Sequence, residues 1–107
     1  MTQVSFTRSG GKITGFRVSG HSGFAEEGED IVCAAVTSAV RYCECMLNDV
    51  YRLNEDIIAD PKGPLIELLP QSGAENISAR CALLEGLYLY ISELSAEYPD
   101  YIKILEV

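Results

Sequence analysis

A chain of 107 residues fits one compact domain, 1–107, and leaves little room for a second core. With 16 acidic against 8 basic residues and a formal charge of −8, it is poorly equipped to replace phosphate counterions, which argues against nucleic acid; the acidity fits a basic partner, or simply keeps the protein soluble. No apolar run approaches the ~20 residues of a membrane span, and Met1–Phe6 has neither a secretory nor a transit signal, so the expected setting is the cytoplasm with no membrane partner.

Residues 3–8 and 12–19 largely alternate apolar and polar side chains across Ser9-Gly10-Gly11, the pattern of a β-hairpin with a glycine turn. Val4, Phe6, Phe16 and Val18 are its buried face. Ile13 is out of phase with Phe16 and Val18, which marks a bulge near Gly15. The stretch from Gly20 to Asp30, rich in glycine and acids, reads as a loop. From Ile31 to about Val50, Val32, Val36, Ala39, Cys43, Met46 and Val50 recur at steps of four and three, the spacing of one helix face, with Asp30 at the N-cap position.

Asp56–Ala59 and Leu65–Leu69 form a second hairpin about Asp60-Pro61-Lys62-Gly63-Pro64. Ser72-Gly73-Ala74-Glu75 matches a capping box and opens a second helix, whose face is Ile77, Cys81, Leu84, Tyr88, Ile91 and Tyr98. Pro99 ends it, and Tyr101–Glu106 is a last strand. The order β-β-α-β-β-α-β specifies a single α+β layered domain, two helices packed on a mostly antiparallel or mixed sheet.

Four cysteines in a chain of this setting argue for free thiols rather than a disulfide framework. Cys33, three residues after Asp30, falls in the first turn of the expected helix, where unpaired N–H groups and the helix dipole stabilise a thiolate. Asp30 opposes that effect if it lies close, since a second negative charge disfavours the thiolate. His21 is the one histidine of the chain and sits on the loop after a strand, where catalytic groups concentrate. A strand end and a helix start joined by a short loop allow the thiol–imidazole contact of a Cys–His pair. Taken singly, Cys33 also fits a small core residue and His21 a solvated one.

Gly20-His21-Ser22-Gly23-Phe24-Ala25 followed by Gly28-Glu29-Asp30-Ile31-Val32-Cys33-Ala34-Ala35-Val36 resembles the signature of the ribosomal-processing cysteine proteases, the Prp family. The similarity continues through Glu85-Gly86-Leu87 to Tyr98-Pro99. It implies a homodimeric Cys–His protease, without a cofactor, that removes a short N-terminal extension from a large-subunit ribosomal protein. Cys33 is then the nucleophile and His21 the general base, with Gly20 and Asp30 in support. The family commonly has serine four residues after the nucleophile; here that position is Thr37, with Ser38 beside it. Asp30 has two readings, a helix cap or a group that orients His21, and both fit the sequence. Free N–H groups at the helix start, that of Cys33 among them, are expected oxyanion donors. Glu26, Glu27, Glu29 and Asp30 lie in the same expected loop as the pair and would draw in a basic tail.

Three other readings compete. A zinc site from His21, Cys33, Cys43 and Cys45 has an acceptable ligand set but poor spacing, because Cys43 and Cys45 point to different sides of one helix. A thiol redox enzyme lacks a C-x-x-C motif. A non-catalytic ribosome-assembly factor holding a basic ribosomal protein explains the charge and leaves the His–Cys placement to chance. Cys43, Cys45 and Cys81 are read as structural, and the late tyrosines as packing or subunit-contact residues.

Overall fold

The computed structural model describes residues 2–20, 27–59, 66–68 and 77–106, with the backbone alone at 27–30 and 77. The elements are β1 (Thr2–Ser9), β2 (Lys12–Ser19), α1 (Glu27–Cys45), a π-helical turn (Met46–Val50), β3 (Ile57–Ala59), β4 (Ile66–Leu68), α2 (Ile77–Glu97) and β5 (Ile102–Glu106). This is the expected α+β order. The strands form one mixed sheet, β3-β4-β2-β1-β5, antiparallel throughout except where β5 runs parallel to β1.

Gly10 and Gly11, at φ 60° and 80°, supply the left-handed backbone that a tight hairpin turn demands. The pairing register slips after Thr7↔Gly15 to Arg8↔Ile13, which leaves Thr14 as the extra residue of a bulge. That bulge returns Ile13 to the side of Phe16 and Val18, and all three are buried with Val4 and Phe6. The ring of Phe6 meets that of Tyr88 edge to face at 5.1 Å and ties the hairpin to α2. The other side of the sheet is polar, with Gln3 and Lys103 exposed and Arg17 facing Glu67 across the β2–β4 pair at 3.9 Å.

The core stripe of α1 is Val32, Val36, Val40 and Cys43, continued by Leu47 in the π-helical turn. Val50, expected inside, is 58% exposed. The π-helical turn explains the change: the Tyr51 N–H donates to Met46 O at 3.0 Å, and the widened turn carries Leu47 into the core and Val50 out. Arg52 and Asn54 then take left-handed φ of 55° and 54°. The Asn48 side chain holds the end of this reversal, accepting from the Glu55 N–H at 2.7 Å and donating to the Glu55 carbonyl at 3.1 Å.

In α2 the buried face is rotated from expectation toward Leu87 and Leu94, and Arg80 is buried on it, whereas Cys81, Tyr88 and Tyr98 are half-buried flanks. Arg80 pairs with Glu55, itself buried, through Nε and Oε1. The helix stops at Glu97, two residues before Pro99. The capping box 72–75 and the turn 60–64 lie outside the described residues.

Candidate active site

Strand β2 ends at Ser19, and Gly20 follows at φ 93°, a left-handed backbone that a side chain would strain. Gly20 thus holds a conformation suited to glycine at the end of β2, immediately before His21 in the chain. His21 and Glu26 lie outside the described residues, and α1 begins at Glu27.

That start is earlier than the sequence suggests, and three expectations change with it. Residues 27–30 are helix rather than loop, because carboxylates are favoured in a first helical turn by the dipole and offset the glycine at 28. Asp30 is the fourth helical residue, so it does not cap α1; an N-cap has non-helical backbone outside the ladder. Cys33 is the seventh, in the second turn. Its own N–H belongs to the helical ladder, so it is not among the free N–H groups of the helix start, and the effect of the dipole fades beyond the first turn. Glu27 and Glu29, expected in the loop, stand in this first turn.

The helix period decides what Cys33 faces. At 3.6 residues per turn, Cys33 and Thr37 advance along one flank of the buried Val32–Val36–Val40 stripe, and both are half-buried. Ala35, Ala39 and Tyr42 occupy the other flank, where they border a groove shared with α2. Cys33 thus lies on the side of α1 away from that groove. Ser38 lines the groove, so the hydroxyl one turn from Cys33 on the same flank is that of Thr37.

The remaining thiols have different surroundings. Cys43 is in the core, where burial pushes its thiol up to about 11 against the opposing pull of Arg80. Cys45 is exposed, so it is not a core residue, and its hydrogen bond with Asp49 raises its pKa. Cys43 and Cys45 point apart, as their spacing requires, and among the described residues no three His, Cys, Asp or Glu side chains converge as a metal site. All four cysteines are free. Sequence reasoning missed the buried Glu55–Arg80 pair. Its signal was present: Arg80 stands at core spacing with Leu84, Leu87 and Ile91.

Comparison with known proteins places the scaffold among the cysteine proteases. Residues 1–103 match the family model described as cysteine protease Prp, and the chain belongs to that family. It is 28% identical to the ribosomal processing cysteine protease Prp of Bacillus subtilis over 116 aligned positions, covering 97% of this chain and 96% of the relative. In fold it superposes with a TM-score of 0.89 on the essential ribosomal processing protease Prp of S. aureus in complex with a substrate peptide, at 21% identity over the whole of both chains. A Streptococcus mutans structure matches with a TM-score of 0.86 at 25% identity, over 100% of this chain and 94% of that one.

Proposed function

We propose that this protease removes a short N-terminal extension from a large-subunit ribosomal protein, with Cys33 as nucleophile and His21 as general base. The observation that carries the reading is the family match across residues 1–103 together with the half-buried Cys33 on the flank of α1 away from the α1–α2 groove. The substrate follows the function named for the Bacillus subtilis relative.

In this mechanism the His21 imidazole takes the Cys33 proton and the thiolate attacks the scissile carbonyl carbon. As the C–N bond breaks, the imidazolium returns the proton to the leaving amine. Water then attacks the resulting thioester and frees Cys33. Because Cys33 lies beyond the first helical turn, the histidine rather than the dipole supplies most of the activation. Gly20 supports the pair as the residue directly before His21, and Thr37 stands one helical turn from the thiol. Asp30, one turn before Cys33 in α1, is assigned the orientation of His21, the second of its two sequence readings. Glu26, Glu27 and Glu29 attract the cationic tail of the substrate. The enzyme works in the cytoplasm as a homodimer, with no cofactor and no direct contact with nucleic acid or membrane; among the described residues no helix is long and apolar enough to cross a bilayer.

The test is cleavage of the host's own ribosomal precursor peptide by wild type, Cys33→Ala and His21→Ala, read by mass spectrometry at several salt concentrations. The expected result is one cut near the N-terminus, slower at high salt and lost in both variants. A peptide that binds all three proteins and stays intact would replace the protease reading with that of an assembly factor.

A further inference from the structure

We infer that the outer edge of β3 receives the extended peptide substrate as an added strand, beside the flank of α1 that carries Cys33. The inference rests on the protease reading of the preceding section and gives its substrate a track on the surface.

The sheet puts β3 and Cys33 on the same side of the molecule. β2 and β3 are both antiparallel to β4 and so run in one direction, and Ala59 ends level with Val18 through Ile66, two residues before Gly20. α2 covers the other half of the sheet: Tyr88 meets Phe6 of β1, and the Ser95 hydroxyl donates to the Ile102 carbonyl of β5 at 3.2 Å. α1 packs beside α2 and therefore lies toward the half that ends in β3. Its flank away from α2, with Cys33 and Thr37, is turned to the β3 edge.

The edge itself is prepared for pairing. The sheet has two outer strands, β3 and β5. β5 carries Lys103 and Glu106, charges of the kind with which edge strands prevent adventitious pairing. β3 is Ile57-Ile58-Ala59, with no charge, no proline and no bulge, and among the described residues no strand pairs with its outer side. Ile57 and Ala59 share the helix-side face with their partners Leu68 and Ile66, and Ile57 packs against the core, so the backbone of β3 is fixed from within. Ile58, opposite Glu67, is 47% exposed. A strand fixed on one side and uncharged on the other can add an extended peptide through its main chain. Shortness is the one protection β3 has against aggregation, and its length still offers pairing to about three or four peptide residues at ~3.3 Å each.

A peptide substrate fits this edge better than a second copy of the chain does. Proteolysis needs the chain extended around the scissile bond, and a strand added at β3 already has that form and reaches the end of the sheet where Gly20 precedes His21. Asp56, exposed directly before Ile57, meets an entering cationic tail favourably. A second copy would bring a net charge of −8 and its own Asp56 against the same short ladder.

Two readouts test this. The first is cleavage by wild type of the ribosomal precursor peptide, N-methylated at one backbone amide at a time. Strand pairing uses alternate N–H groups, so kcat/KM is expected to fall roughly tenfold at every second position within a run of about four residues, and little between them. The second is amide hydrogen exchange of Cys33→Ala, which leaves the peptide intact. Saturating peptide should slow at least one amide of Ile57–Ala59 by roughly tenfold or more and leave Ile102–Glu106 of β5 unchanged. Sensitivity without alternation, or β3 amides that do not respond to peptide, would overturn the inference. So would β3 protection that is present without peptide and grows with protein concentration, which assigns the edge to a second copy. An unmodified peptide that wild type leaves intact refutes the protease reading itself, so its failure and that of the β3 track are told apart.

Discussion

The buried Glu55–Arg80 pair links the segment after the π-helical turn to the beginning of α2, and Arg80→Met removes its cation while keeping much of its volume. The two side chains are 2% and 3% exposed, so the Glu55 carboxylate would be left in the interior without the guanidinium. Among the described residues its second oxygen, Oε2, has no hydrogen-bond partner that would share the load. Breaking a buried pair from one side typically costs about 3–5 kcal/mol, against a total of about 5–15 kcal/mol for a domain. With a urea dependence of about 1.5 kcal/mol per molar, the unfolding midpoint should fall by about 2–3 M at unchanged slope. Replacing both partners, Glu55→Leu with Arg80→Met, removes the desolvation cost as well as the attraction, so the double variant should be more stable than Arg80→Met alone. A loss below about 1 kcal/mol for Arg80→Met, or a double variant less stable than either single one, would show that the pair is not the electrostatic unit described here.

Two further predictions concern the core. Leu84 is fully buried on the face of α2 that meets the sheet, and Leu84→Ala should cost about 3 kcal/mol in urea unfolding through lost transfer energy and the cavity left behind; a change under about 1 kcal/mol would mean that the helix does not seat as described. Burial raises the Cys43 thiol from an ordinary 9.0 to about 11, so the unfolded chain releases that proton first as the pH rises. The contribution is intact below pH 9 and declines toward pH 11, by at most about 1.4 kcal/mol per pH unit. Wild type should therefore lose stability across this window faster than Cys43→Ala, and parallel curves would sink the assignment.

Much of the architecture is local in origin, and for that reason the sequence alone determined it. Alternation specified the faces of β1 and β2, paired glycines their turn, and the phase error at Ile13 revealed the bulge before any sheet was seen. The run from Gly20 to Val36 carried the family signature and singled out His21 and Cys33. Local signals failed where two meanings share one composition. Glycine and acids at 27–30 read as a loop, yet the same acids suit a first helical turn, and the helix start moved Cys33 one turn inward and took the cap from Asp30. Tertiary structure alone decided the rest: the parallel placement of β5 beside β1, the π-helical turn that exchanges Val50 for Leu47, the pairing of Arg80 with Glu55, and the uncharged groove between α1 and α2. Each of these depends on partners distant in the chain, and a residue's spacing states which way it faces but not what stands opposite.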